Sequence, residues 1–318
     1  MSQDKIRLIS VTGPTASGKT ALSVELAVLF GGEVVSADSM QIYKNMDVAT
    51  AKPTTEEMRN IPHHLMGFLD ACDTYSVAQY VQDASVAIND ITLRGKIPVL
   101  VGGTGLYVDS LLNGIEFSEG EVDFELREKL MNEAEQSGVE ALLAKLEQVD
   151  PQSAQRLSEQ KNIKRIVRAL EIYYTTGVTM TQQNILSKQK ESVYAPVKIA
   201  LKFRDRQKLY DRINKRVDIM MDMGLLSEAQ EYFSMPLSST SRQAIGYKEL
   251  KPYFDGDKSL DECIEALKQS TRRYAKRQLT WFNRDESINW FYPDDYTCYD
   301  ELINNVRDFL VTKGFELI

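Results

Sequence analysis

The stretch SVTGPTASGKTALSVEL, residues 10–26, decides the fold of this chain. Within it GPTASGKT, residues 13–20, fits the phosphate-loop pattern G-x-x-x-x-G-K-[ST]. The run KIRLISV ahead of it is short, apolar and β-branched, and reads as a buried strand ending at Gly13. A helix is predicted from about Lys19. Gly13 and Gly18 let the backbone turn so that amides point inward, with Pro14, Thr15, Ala16 and Ser17 between them. The helix N-terminus adds partial positive charge. Lys19 supplies a full charge to phosphate oxygens, and Thr20 a hydroxyl for a magnesium ion. Such a loop implies a bound diphosphate or triphosphate and leaves the reaction open.

Outward from the loop, EVVSAD reads as a second strand ending at Asp38. IPVLVGG reads as a third, followed by a helix from Thr104 through Leu112. Strands alternating with helices predict an α/β fold, a P-loop NTPase-like parallel sheet flanked by helices. Ligands of such sheets sit beyond the carboxyl ends of the strands. Gly13, Asp38 and Thr104 all fall there. From about Ile115 to Lys190 the pattern turns helical, which predicts a small helical insertion domain at 115–190 between core parts 1–114 and 191–318. APVKIALKF returns to strand. DRQKLYDRINKRVDIMMDMG then reads as a helix with Asp205 as N-cap and Gly224 near its end. Leu209, Ile213, Val217 and Met220 form its apolar stripe, and Lys208, Arg212 and Arg216 share a basic face.

No apolar run among the 318 residues approaches the length that crosses a bilayer, and the N-terminus lacks a signal-peptide pattern. Cys72, Cys263 and Cys298 lie far apart and form no CxxC pair, which argues against a disulfide framework or a cysteine zinc site and for a reducing cytoplasm. The net charge of −8 by itself disfavours nucleic acid. Its distribution is uneven. Residues 116–135 are acidic, whereas KQSTRRYAKRQLTWFNR, residues 268–284, carries six basic residues and no acid. KNIKRIVR, residues 161–168, carries four and no acid. Two such stripes fit local binding of a polyanion.

Asp38 at a strand end could hold a metal, act as a general base toward a second substrate, or merely cap a turn. VLVGGT ends without an acid, so the metal-holding Asp common on a later strand of P-loop kinases is not evident. An arginine from the basic face could neutralise a leaving diphosphate, and spacing does not choose which one. Lys208 reads as solvated. His63 and His64, without a third ligand, read as structural. A small-molecule kinase and a non-catalytic RNA-binding protein both stay open on these residues.

Eight ordered motifs carry a resemblance along essentially the whole chain. They are GPTASGKT, SADSMQIYKNMDVATAKP, HHLMGFLD, PVLVGGTGLY, RALEIYY, YDRINKRVDIMMDMGLL, RQAIGYKEL and KRQLTWFNR. Together they resemble the bacterial tRNA dimethylallyltransferase family. The resemblance implies transfer of a dimethylallyl group from dimethylallyl diphosphate to the exocyclic amine of the adenine 3′ of the anticodon. It implies a tRNA anticodon stem-loop as partner, Mg2+ as cofactor, no membrane, and a monomer. By matching position, Asp38 is the base, Lys19 and Arg216 bind the diphosphate, Thr20 meets magnesium, and Thr104 lies at the shared channel. Family patterns place tRNA contacts at Asp38, Ser39, Met40 and Gln41; at Asn162, Ile163, Lys164, Arg165 and Ile166; at Arg242, Gln243, Gly246 and Tyr247; and at Lys276, Arg277 and Arg284. Tyr247, Trp281 and Phe282 are candidates to stack on a flipped base, or else core aromatics. Gly105 stands where many relatives carry a larger residue, a change expected to alter pocket shape. The chain ends at Ile318 without the zinc-finger extension of eukaryotic relatives, which points to the bacterial type. A relative that prenylates free adenine nucleotide would share the core chemistry without an RNA surface.

Overall fold

The computed structural model describes residues 5–115, 123–189 and 191–318. The chain divides into two compact units, Met1–Leu112 with Val193–Ile318, and Asn113–Ser192.

The first unit is built on six strands: β1 (Ile6–Thr12), β2 (Gly32–Ser36), β3 (His63–His64), β4 (Ile97–Gly102), β5 (Tyr194–Leu201) and β6 (Asn289–Phe291). They form one parallel sheet in the order β3-β2-β4-β1-β5-β6. The alternation of IRLISVT explains how β1 sits at its centre. Ile9 and Val11 point to one face, where they meet Val99 and Val101 of β4 and Leu22 and Leu26 of the helix Lys19–Leu29. Leu8 points to the other face, which packs on Tyr80, Ala84 and Ile88 of the helix Val77–Leu93. With both faces covered, a one-residue slip of β1 would exchange Ile9 and Val11 for Ser10 and Thr12. The register Thr12↔Gly102 and Ser36↔Val101 brings the ends of β1, β4 and β2 side by side. The segments after them carry Gly13, Thr104 and Asp38.

At the outer side of the sheet Glu33, 2% exposed, accepts hydrogen bonds from Arg94 Nη2 at 2.7 Å and Lys96 Nζ at 2.7 Å and contacts His64 Nε2 at 2.8 Å. The Arg94 guanidinium, ahead of the opposing cost of burial, holds its carboxyl well below the usual carboxylate range. His64 is thus committed to the sheet edge, and His63 Nδ1 contacts Ile61 O at 2.8 Å. Neither is part of a metal-binding cluster among the described residues.

The second unit is helical. Phe124–Ser137 and Val139–Val149 are separated by Gly138, and Pro151–Ser158, Ile163–Thr176 and Met180–Gln189 follow. Its core is Leu130, Leu142, Leu146, Leu157, Ile166 and Leu170. Asp123 and Asn162 cap two of the helices through Leu126 N and Arg165 N. Buried Glu171 is paired with both Arg127 and Arg168. The first part of the acidic stretch, 116–122, lies outside the described residues. Among the described residues no helix is long and apolar enough to cross a membrane.

Candidate active site

The phosphate loop is shaped by its own sequence and braced from far along the chain. Gly18 adopts φ +99°, a left-handed conformation that opens the helix Lys19–Leu29 without a side-chain cap. The first amides of that helix therefore remain available to an anion. Three side chains hold the loop. Gln278 Oε1 accepts from Thr15 N at 2.8 Å, while its Nε2 donates to Gly103 O at 3.0 Å. Arg212 Nε donates to Ala16 O at 2.9 Å. The Tyr299 hydroxyl donates to Gly18 O at 2.8 Å. Ser17 Oγ is buried inside the loop with no hydrogen-bond partner among the described residues. Pro14 O faces Lys19 Nζ at 3.4 Å, a weak contact for an ammonium.

The loop opens on a cavity of about 350 Å³ whose lining includes Lys19, Thr20, Asp38 and Arg216. Burial lowers the Lys19 pKa to about 8, against the opposing pull of Asp38 and with a further push from Arg216. Burial, then Arg212, likewise depresses Arg216. Neither cation forms an ion pair among the described residues, so their charge is left for a ligand. The rest of the wall is apolar where Ile213, Val217, Met220, Ile245 and Leu267 line it.

Asp38 divides its labour. Its Oδ1 accepts from Met40 N at 2.9 Å and Gln41 N at 3.3 Å, which fixes the turn after β2. Its Oδ2 accepts no hydrogen bond among the described residues. The capping and chemical readings are therefore compatible, one per oxygen. Thr104 braces the same turn: its Oγ1 accepts from Ser39 N at 3.0 Å and donates to Ser39 Oγ at 3.3 Å. Tyr274, lifted above its ordinary pKa by burial and then by Asp38, lines the same cavity.

A cavity with two unpaired cations, a free carboxylate oxygen and an apolar wall suits an anion that bears an apolar group, and comparison with known proteins gives it a lineage. The family model described as IPP transferase matches residues 41–285. The tRNA dimethylallyltransferase of Bacillus cytotoxicus is 47% identical over 310 residues, covering 97% of each chain. The chain belongs to the tRNA dimethylallyltransferase family.

Another tRNA dimethylallyltransferase, from Caldanaerobacter subterraneus subsp. tengcongensis, is 45% identical over 97% of this chain and 98% of its own. Among solved structures, the tRNA isopentenylpyrophosphate transferase of Bacillus halodurans matches with a TM-score of 0.72 at 41% identity, over 98% of this chain and 97% of that one. A eukaryotic dimethylallyltransferase acting on tRNA matches with a TM-score of 0.81 at 30% identity, over 96% of this chain and 80% of that one.

Against this family background, the remaining sequence candidates separate. Arg277 and Gln243 line the cavity, with Met40 and Gln41. Lys276, Arg277, Arg242 and Arg284 are exposed. Within the stripe 268–284, Lys268 and Arg272 are paired with Asp218 and Glu265, whereas Lys276 and Arg277 form no ion pair among the described residues. In the second unit Lys164 and Arg165 are exposed. Ile166 is fully buried there, so its side chain serves the core and not a contact surface.

Of the two readings open for the aromatics, packing is the one the contacts favour. Tyr247 is 0% exposed, stacks on Tyr232 at 3.9 Å and donates its hydroxyl to Glu228 Oε1 at 2.8 Å. No face is left for a base. Phe282 is buried, and Trp281 donates Nε1 to Asp109 Oδ2 at 2.7 Å under the Arg284 guanidinium. Gly105 is not among the residues that line the cavity. A Cβ there would stand 2.2 Å from Trp281 Cδ1, so the missing side chain makes room for the indole.

Lys19 is expected to make anion binding at the loop pH-dependent. Its folded pKa of about 8 lies below the ordinary 10.5, so an anion that favours the ammonium binds best below about pH 8. Affinity for dimethylallyl diphosphate is expected to fall by up to about tenfold per pH unit above that point. Titration calorimetry between pH 7 and 9.5 reads this directly; a flat profile would take Lys19 out of the binding step.

Proposed function

We propose that this chain transfers a dimethylallyl group from dimethylallyl diphosphate to the exocyclic amine of the adenine 3′ of a tRNA anticodon. The amine nitrogen bonds to C1 of the prenyl group as the C1–O bond breaks. The amine proton passes to Asp38 Oδ2, and diphosphate departs. The observation that carries this reading is the pair of desolvated cations, Lys19 and Arg216, which form no ion pair among the described residues and share one cavity with Asp38 and an apolar wall. Such cations stabilise charge that grows on a leaving diphosphate. The apolar wall suits a five-carbon tail.

Magnesium fits as a partner of the diphosphate. Thr20 offers one hydroxyl beside Lys19, and no cluster of three or more His, Cys, Asp or Glu among the described residues could hold the ion unaided. Mg2+ typically keeps waters and leans on phosphate oxygens, which this donor set suits. When bound it supplies charge neutralisation to the diphosphate. The reading carries with it a cytoplasmic, monomeric enzyme.

The deciding experiment gives the purified protein magnesium, labelled dimethylallyl diphosphate and either unmodified tRNA or AMP. Label mapped to the adenine beside the anticodon supports the proposal. Label in AMP alone would reassign the chain to free-nucleotide prenylation, and ATP turnover on a small acceptor to the kinases. A companion test concerns the RNA surface. Neutralising Lys276 and Arg277 together is expected to weaken tRNA binding and to reduce the slope of log K against log salt by about 1.4–1.8. An unchanged slope would show that neither meets phosphate.

A further inference from the structure

Glu228, on the helix Leu225–Ser234, carries an unusual load for a half-buried carboxylate. Its Oε2 accepts from Asp47 N at 2.8 Å and Val48 N at 2.7 Å. Its Oε1 accepts from Ala49 N at 2.9 Å and from the Tyr247 hydroxyl at 2.8 Å. Three consecutive main-chain amides and a buried phenol thus converge on two oxygens. Each is a bond to a charged acceptor, stronger than its neutral counterpart.

What these bonds hold is a wall of the cavity. Ala49, Thr50 and Ala51 line it, next to Gln41. Gln41 Nε2 donates to Thr50 O and Ala51 O, both at 3.1 Å, and Gln41 N donates to Asp38 Oδ1. A continuous set of hydrogen bonds therefore runs from Glu228 through the loop 47–51 to the turn that presents Asp38. Behind the loop there is no slack: a Cβ on Gly246 would lie 2.8 Å from Ala49 Cβ. The phosphate loop is independent of this set, since its braces are Gln278, Arg212 and Tyr299.

We propose that Glu228 is a positioning residue for the acceptor side of the site: it fixes the wall against which the acceptor base is presented to Asp38, and leaves diphosphate binding alone. This rests on the prenyl-transfer reading above. The buried Tyr247 acquires a role within it, as the rigid fourth donor that orients the carboxylate.

The test compares Glu228→Gln and Tyr247→Phe with the wild-type protein. A carboxamide offers one acceptor oxygen and turns an NH2 toward amide donors, so Glu228→Gln strands part of the set. Amide hydrogen exchange at residues 47–49 is expected to speed up about tenfold or more, and kcat/KM for tRNA to fall about tenfold. The dissociation constant of dimethylallyl diphosphate, measured without tRNA, should stay within about twofold. Tyr247→Phe removes one donor of four and should shift the same readouts less, which keeps the test open if the first variant folds poorly. Unchanged exchange at 47–49 overturns the clamp whatever the reaction proves to be. Faster exchange with wild-type tRNA kinetics, or equal losses in diphosphate and tRNA readouts, overturns the acceptor-side role. A wild-type protein that modifies no tRNA overturns the prenyl-transfer reading and this role with it.

Discussion

Asp38→Asn is expected to cut turnover by about 10²-fold or more while tRNA and diphosphate binding persist. The structure makes asparagine the informative replacement. Asp38 Oδ1 serves the turn through Met40 N and Gln41 N, and an amide oxygen can accept both bonds. What asparagine lacks is a basic atom at the other position, where Oδ2 stands without a hydrogen-bond donor among the described residues. Asp38→Ala removes both functions and should also loosen the turn, so its tRNA KM should rise as well as its kcat fall. Equal turnover in the Asn variant and the wild type would remove Asp38 from proton transfer and leave it as a turn residue.

The second large effect is expected at Arg216. Burial depresses its pKa and it forms no ion pair among the described residues, the signature of a cation kept for a ligand. Arg216→Ala should weaken dimethylallyl diphosphate binding by about 10–10²-fold, the worth of a charge-assisted bond in a desolvated site. It should also lower kcat, because charge on the departing diphosphate grows as the C–O bond breaks. Arg216→Lys should recover only part of this, since an ammonium cannot reproduce a planar fork. Arg212→Ala is the control. Arg212 donates to Ala16 O, so its loss should disturb the shape of the loop and be felt in stability before chemistry. Wild-type kinetics for Arg216→Ala at saturating substrates would exclude it as a chemical participant.

The contrast between these two arginines shows where sequence reading stops. Helical spacing puts Lys208, Arg212 and Arg216 on one face, yet only contacts distinguish a loop brace from a free cation. The phosphate loop, the buried strands and the helix Arg206–Asp222 were legible because each carries a strong local pattern. The edge strands β3 and β6, two and three residues long, were not: pieces that short have no periodicity. Gln278 was hidden inside a basic stripe that reads as surface. Its phase held the signal, since Ala275, Gln278 and Phe282 share the buried face of their helix. A polar residue in a core phase needs partners, and here they are Thr15 and Gly103. Glu228 and Tyr247 left no such trace, because the donors that meet the carboxylate are main-chain amides of a distant loop. Tyr247, Trp281 and Phe282 stay open between stacking and core in the sequence for the same reason: an aromatic side chain in sequence does not announce whether its faces are already covered.

The order in which the chain is made reverses the order in which its site is completed. The phosphate loop leaves the ribosome ahead of the other parts of the site. One edge of β1 is closed by β4, but the other pairs only with β5, from Tyr194 onward. Between them comes Asn113–Ser192, a unit with a core of its own. A nascent chain that has reached that unit therefore holds a central strand with one edge still open, a state prone to mispairing. The braces at Arg212, Gln278 and Tyr299 arrive later still. The most local motif in the sequence is thus the one whose working shape depends most on distant residues, and a chain ended before Tyr194 possesses the motif without the site.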